Sequence, residues 1–457
     1  MSFLEDLAGA RIAVLGGGVT GTGVISFLQN KGANVELYDE KPTNISGLQA
    51  KQELAVEDSY TFAVASPGWR LDHPLVLDFL DRKIQVYSEL DFAWLVKEEV
   101  APEQKWVALT GTNGKTTTIQ MLESILISAG INGRACGNVG EPVITALSSL
   151  EQIDVLALEL SSFQIEWSQL PIFHSVAILN IAEDHIDWHG SFDEYANAKL
   201  KLLRQTNTAV LNIDDSEVSA RSTSWNGRKI YYSLQVPRGG ELGLVEELLV
   251  DRAFSADPTQ AAMLAELSDI KPTVPHNVSN ALAAAGLALT LGIPHSEIQN
   301  GLRNFKVDHH RLELVASADG ISWVDDSKAT NPHAAFASIL SALSVVWIAG
   351  GLAKGASMDD LVKRGAVRIR AAILIGQDRD VIADALAKFA PQIPIFKIDK
   401  SSTSEELMRQ VVAQAKELAQ DGDTVLLAPA CASMDQFKSY AERGDLFAHA
   451  VKESLGL

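Results

Sequence analysis

The chain has 457 residues, enough for about two to four domains, each with its own core. With 58 acidic against 38 basic residues the net charge is −20, which argues against nucleic acid or a membrane surface as partner. Two cysteines, Cys136 and Cys431, suggest neither a disulfide scaffold nor a structural zinc site. The first residues lack a basic region leading into an apolar run, and no apolar run is long enough to span a bilayer, so a cytoplasmic enzyme is expected.

Residues 11–16 read as a buried strand, and Gly16, Gly18 and Gly21 then fit G-x-G-x-x-G ahead of a helical pattern that ends near Gly32. Residues 34–39 form the next strand, and Asp39 ends it at the distance of a ribose-binding carboxylate. The pattern admits a nicotinamide-dependent oxidoreductase, another nucleotide diphosphate at the helix N-terminus, or merely close strand-to-helix packing, with Asp39 a simple strand-end residue. Residues 61–68 give a further strand and turn, which sets Ser66 at a strand carboxyl end, where open α/β sheets bind ligands. Residues 84–88 are a strand, a helix follows through Trp94, and the polar stretch 97–104 reads as a linker.

Residues 106–118 are the organising stretch: an apolar strand, the loop Thr110-Gly111-Thr112-Asn113-Gly114, and Lys115-Thr116-Thr117 opening a helix. Loop N–H groups and the helix dipole face an anion there, Lys115 adds a mobile charge, and Thr116 can reach a magnesium ion. The full phosphate-loop spacing puts another glycine where Leu109 stands, so this is the shorter form. A second phosphate-binding segment is not needed by a dehydrogenase, and ATP-dependent chemistry is the stronger expectation.

The strand at 154–159 ends on Glu159, a position suited to a carboxylate that holds magnesium. Residues 174–180 form the next strand and lead into Asp184-His185 and His189. The spacing of the two histidines would also suit zinc on a helix, but strand-end carboxylates favour magnesium. Residues 192–203 are an amphipathic helix on which Lys199 reads as a solvated charge. Asn138 and Asn277 read as turn or cap residues. Residues 208–271 offer two strands and no assignable motif. Beyond residue 300, strands at 321–324, 345–348, 371–375, 395–398 and 424–427 alternate with helices, the signature of another α/β unit with a parallel sheet. Its strand ends carry Asp326, Lys328, Thr330, Gly350-Gly351 with Lys354, and Ser433, and Arg311 precedes it.

Residues 110–116, Glu159-Leu-Ser-Ser-Phe-Gln, Asn180-x-x-x-Asp-His185, Ala198-Lys199, His276-Asn277 and residues 326–331 together resemble the Mur ligase family of peptidoglycan synthesis. Residues 65–68, 325–332 and 429–437, with Arg443-Gly444, resemble its D-glutamate-adding branch. The resemblance runs through essentially the whole chain in order. It implies three α/β domains: a Rossmann-like domain for the UDP-sugar (1–97), a P-loop ATPase-like domain (98–305), and a Rossmann-like domain for the amino acid (306–457).

It further implies UDP-N-acetylmuramoyl-L-alanine, D-glutamate and ATP as substrates, two magnesium ions, and CO2 carried as a carbamate on Lys199. Gly111 to Thr117, Asn138, Asn277, Arg311 and Asp326 would serve ATP, and Lys115, His185 and Lys199 catalysis. Thr116, Glu159, His185 and carbamylated Lys199 would hold metal. Thr20 and Ser66 would contact the UDP-sugar, and Lys328, Thr330, Lys354, Ser433 and Tyr440 the D-glutamate. Three departures from the family pattern stand out: Tyr440 replaces a frequent Phe, Leu352 the Asp of Gly-Gly-Asp-x-Lys, and Glu40-Lys41 a Thr-Arg pair that contacts uracil. A monomer is expected. Folate-polyglutamate ligases share this ATPase type and are the nearest competing reading.

Overall fold

Three parallel-rich sheets with intervening helices follow one another along the chain, an α/β architecture throughout. The computed structural model describes residues 2–56, 58–149, 151–254, 257 and 260–457. They group into two compact units, one of Met1–Ile181 with Asp193–Phe305, the other of Ala182–Phe192 with Lys306–Leu457. No helix among the described residues is long and apolar enough to cross a membrane.

The first sheet runs Asn34–Tyr38, Arg11–Leu15, Phe62–Ala65, Val86–Ser88, all parallel. Ile12 to Leu15 are buried in succession, as expected of a strand covered on both faces. The glycine turn then enters the helix Val19–Asn30. Gly16 has φ +98°, and a Cβ on Gly21 would lie 1.8 Å from the Gly16 carbonyl oxygen, so both positions demand glycine. A hairpin of Asn44–Ile45 and Leu48–Gln49 covers the turn unannounced by the sequence. The expected linker is corrected in part: the helix Glu89–Val100 continues through it. Lys97 sits over the Trp94 ring at 4.8 Å and donates to the Pro102 carbonyl at 2.7 Å, so the first residue of the expected linker is buried and helical.

The second sheet has nine strands, in the order Ala262–Glu266, Leu248–Asp251, Glu241–Val245, Arg228–Tyr232, Thr208–Asn212, Ser175–Ile178, Lys105–Thr110, Val155–Glu159, Gly133–Gly137. Three of them, within residues 241–266, extend one edge: Glu241–Val245 joins Arg228–Tyr232 in parallel, and the three pair antiparallel among themselves, in the region that carried no motif. The helices Lys115–Ser128 and Pro275–Thr290 pack on this sheet, the second through an unbroken buried run from Asn280 to Leu289.

The third sheet, in the second unit, runs Glu313–Ala318, Ile321–Asp325, Thr424–Leu427, Val345–Gly350, Ile369–Ile375, Ile395–Lys397. Its first strand is antiparallel to the second, and the rest are parallel. This order sets the carboxyl ends of Ile321–Asp325, Thr424–Leu427 and Val345–Gly350 side by side.

Candidate active site

In the first unit, the phosphate-type loop leaves strand Lys105–Thr110 between Ser175–Ile178 and Val155–Glu159, and Leu109 pairs with Glu159 in register. Strand order reverses at this point, where ligands gather in open α/β sheets. Gly114 caps the helix with φ +81° and faces Asn280, whose Oδ1 would be 2.4 Å from a Cβ. The Asn180 side chain accepts from Asn113 N at 2.8 Å and donates to Asn113 O at 3.0 Å. With Thr112 N bound to Asn180 O, the loop is fixed from the neighbouring strand.

Two lysines converge on this loop. Lys115 Nζ donates to the carbonyls of Gly111 at 2.8 Å and Thr112 at 2.9 Å. Lys199 Nζ donates to Gly111 O at 2.9 Å and lies 4.7 Å over the Tyr195 ring. The reading of Lys199 as a solvated surface charge is therefore corrected: it is 2% exposed, because the helix Phe192–Leu200 turns that face inward. Tyr195, one turn earlier, bonds the Thr112 hydroxyl at 2.9 Å. Sequence reasoning missed Tyr195, Asn180 as a loop clamp, and Asn280; the i, i+4 spacing of Tyr195 and Lys199 was the available signal for the first.

Glu159 is 2% exposed. Its Oε1 accepts from Asn138 Nδ2 at 2.8 Å, while Oε2 is buried without a hydrogen-bond partner among the described residues. A buried, unpartnered carboxylate oxygen beside a phosphate-type loop fits a hard divalent cation. Thr116 is half-buried in the first helical turn and Thr117 is buried. The buried Asn277 side chain donates to the carbonyls of Lys271 at 3.4 Å and Pro272 at 3.2 Å, tying its helix to the preceding segment.

At the first sheet, Ser66 donates its N–H to Leu15 O, and its hydroxyl is buried with no hydrogen-bond partner among the described residues. Thr20 is half-buried in the first turn of its helix. Asp39 is more than a strand end: its Oδ2 accepts from Gly17 N at 2.7 Å and its Oδ1 from Lys41 N at 2.9 Å, bracing the glycine turn. Glu40, in a position of expected departure, meets His73 Nε2 at 3.1 Å.

The second unit holds His185, at φ +53° before the short helix Ile186–His189, with its N–H on Asp184 Oδ1 at 2.9 Å. His185 is thus grouped with Arg311, Asp326, Lys328, Thr330, Lys354, Ser433 and Tyr440, and not with the phosphate-type loop. Asp326 is buried and accepts from Leu312 N at 3.3 Å and from the Ser338 hydroxyl. Burial pushes its carboxyl up to about 6 against those hydrogen bonds and the charge of Arg311. Arg311 is half-buried.

Lys328 Nζ stands 3.8 Å over the Tyr440 ring, so the altered aromatic still supplies a π-face. Lys354 is exposed at φ +50°, and Ser433 is 3% exposed. Beside Arg311, His310 Nδ1 binds Asp325 Oδ2 at 2.6 Å, and that hydrogen bond raises the His310 pKa. His310, Glu313 and Asp325 bring ligand atoms within 4.8 Å of one another, but His310 already satisfies both, its ring on Asp325 and its N–H on Glu313.

The Mur ligase middle domain profile matches residues 109–288, and the Mur ligase glutamate ligase domain profile residues 310–431. The UDP-N-acetylmuramoylalanine--D-glutamate ligase of Thermobifida fusca is 45% identical over 99% of this chain and all of its own length. The chain belongs to the Mur ligase family. The protein of the same name from Streptomyces coelicolor is 43% identical over 98% of this Mur ligase and 99% of its own length. Among solved structures, MurF from Acinetobacter baumannii aligns with a TM-score of 0.63 at 19% identity, covering 99% of this chain and 93% of its own. A pseudomurein peptide ligase type C from Methanothermus fervidus aligns at 0.62 and 19%, covering 98% and 100%; these two speak to the fold.

Proposed function

We propose that this Mur ligase joins D-glutamate to the alanyl carboxylate of UDP-N-acetylmuramoyl-L-alanine, consuming ATP, in peptidoglycan precursor synthesis. The observation that carries the reading is the convergence of Lys115 and Lys199 on the Gly111 carbonyl, next to a strand ending in Glu159 with an unpartnered buried oxygen, in a chain 45% identical to a D-glutamate ligase. The domain division proposed is 1–97 for the UDP-sugar, with Thr20 and Ser66; 98–305 for ATP; and 306–457 for the amino acid. A cytoplasmic location and a monomeric state belong to the same proposal.

ATP phosphates would lie on the N–H groups of Gly111 to Thr117 and the N-terminus of Lys115–Ser128. Lys115 would shift from its loop carbonyls to the phosphoryl oxygens. Thr116 and Glu159 would hold one magnesium ion, with Asn138 fixing the Glu159 carboxylate; His185 and Lys199 would serve a second. Bound magnesium neutralises charge on the phosphoryl oxygens and aligns them. Asp326 and Arg311 would take the ribose and a phosphate, with Asn277 near the nucleotide.

The alanyl carboxylate then attacks the γ-phosphorus, ADP leaves, and an acyl phosphate results. D-Glutamate would be held by Lys328, Thr330, Lys354 and Ser433, with Tyr440 as a wall. Its ammonium gives one proton to a base, the amine attacks the carbonyl carbon, phosphate departs with the C–O bonding pair, and the nitrogen releases a second proton to leave the amide. Catalysis of the first step is chiefly electrostatic, because cations already surround the oxygens on which charge develops.

Lys199 bears on this as a carbamate. Burial disfavours the ammonium of Lys199; its neutral amine would bond to CO2 through nitrogen and release a proton, leaving an anionic oxygen ligand. Intact mass taken under CO2 is expected to rise by one CO2 in the parent chain and not in Lys199→Ala; an equal mass gain in both would place the carbamate elsewhere. Lys115→Ala is expected to cut ADP formation by roughly a hundredfold or more in a folded protein. Turnover near the parent rate would remove the loop from the mechanism.

A further inference from the structure

Arg443 lies in the first turn of the helix Tyr440–Leu455 and is completely buried. Its guanidinium spreads over three chain segments. Nε donates to the Ser327 hydroxyl at 2.9 Å and Nη2 to Ser327 O at 2.9 Å. Nη1 donates to Cys431 O at 3.2 Å and to Gly350 O at 3.4 Å. Each acceptor sits at the root of a loop carrying a candidate amino-acid ligand: Ser327 precedes Lys328 and Thr330, Gly350 precedes Lys354, and Cys431 precedes Ser433.

We propose that Arg443 is the positioning residue of the amino-acid pocket, holding its three loops in register from beneath through one buried guanidinium. The proposal rests on the assignment of Lys328, Thr330, Lys354 and Ser433 to D-glutamate.

The surrounding bonds set what the guanidinium adds. Ala430 N reaches Ala329 O at 2.9 Å, and Leu352 and Ala432 exchange backbone bonds at 2.8 and 2.9 Å, so neighbouring loops touch pairwise. Arg443 binds all three at once. Ser327 extends the tie, its hydroxyl donating to Tyr440 O at 2.7 Å and its N–H to Asp325 Oδ1 at 2.8 Å. That fixes the start of the helix and Tyr440, the wall over which Lys328 lies.

The chemistry needs arginine. A planar fork with five donors matches oxygens on three segments, whereas a lysine ammonium is one point with three donors. Burial lowers the Arg443 pKa to about 10, so the group stays charged at neutral pH. No carboxylate lies within 4.0 Å of it among the described residues. The Asp325 and Asp435 carboxylates act on it from a longer distance and offset part of its charge, so its contribution is the set of hydrogen bonds it makes. Directly above are the loops proposed to take a dicarboxylate.

The test uses the full chain and steady-state kinetics, with KM determined separately for D-glutamate, ATP and UDP-N-acetylmuramoyl-L-alanine. Arg443→Lys is expected to raise the D-glutamate KM roughly tenfold, as for loss of more than one buried hydrogen bond, with the other two KM values within about twofold. Ser327→Ala, which removes one acceptor and the tie to Tyr440, is expected to move the same parameter in the same direction; it decides the matter if Arg443→Lys does not fold. An unchanged D-glutamate KM in a folded variant, or an equal rise in all three constants, overturns the proposal. Lys328→Ala and Lys354→Ala are run alongside: if neither alters the D-glutamate KM, the pocket assignment itself fails. If they alter it and Arg443→Lys does not, the positioning role alone is lost.

Discussion

Asp326, proposed for the ATP ribose, would tie nucleotide affinity to pH through one buried carboxyl. Its ordinary value is 3.8 and burial raises it to about 6, so the fold favours its neutral form. The stability it contributes is present below its unfolded value and is lost as pH rises through about 6. Acceptance of ribose hydroxyls requires the carboxylate, which prevails only above that value. The ATP KM is therefore expected to climb below pH 6, approaching tenfold per unit, and Asp326→Asn to lose this acidic limb while binding ATP weakly throughout. A flat ATP KM from pH 8 to 5.5 in the parent would separate Asp326 from the nucleotide.

Residue chemistry was legible where type and position coincide at a strand end, as at Glu159 and in the loop from Gly111 to Thr116. It was illegible at Lys199, because a helix face carries no mark of which side will be covered, and at Arg443, whose role depends on three carbonyls brought together by strand order.

At the scale of elements, the helix Glu89–Val100 is the joint of the first unit. Glu89, fully buried, accepts from Ile144 N at 3.0 Å and from Val143 N, at the start of the helix Val143–Leu147. Asp91 Oδ1 accepts from Gln169 N and Leu170 N, both at 2.9 Å, and Trp167 Nε1 donates to Trp69 O at 2.8 Å. Elements of the first sheet are thereby bonded to helices beside the second.

Desolvation lifts Glu89 from 4.5 to about 7 in spite of those amides. A raised carboxyl stabilises most below its unfolded value, and that contribution is lost as pH rises through about 7, a swing of roughly 3 kcal/mol. Urea unfolding at pH 5 and pH 8 should show Glu89→Gln gaining on the parent at the higher pH; identical pH slopes would mean Glu89 is already charged or solvated. The strands of the first sheet were readable because their apolar runs are buried on both faces. The antiparallel additions in residues 241–266 were not, since Gly240, Gly243 and the turn at Glu246-Glu247 interrupt any apolar run.

For the whole molecule, a net charge of −20 means that anionic substrates must be met by local cradles, and three are proposed: the glycine turn braced by Asp39, the loop under Lys115 and Lys199, and the strand ends above Arg443. Family and architecture were legible because the motifs stand in order along the full chain, most of them at strand carboxyl ends and the rest on helices such as Phe192–Leu200 and Pro275–Thr290. The grouping of Ala182–Phe192 with Lys306–Leu457 was not, since it arises from contacts between segments distant in sequence. The most direct test of the account is phosphate release with ATP, Mg2+ and UDP-N-acetylmuramoyl-L-alanine, in parallel with D-glutamate, L-glutamate or no amino acid. The account predicts sustained release only with D-glutamate; sustained release with L-glutamate, or none with D-glutamate, would contradict it.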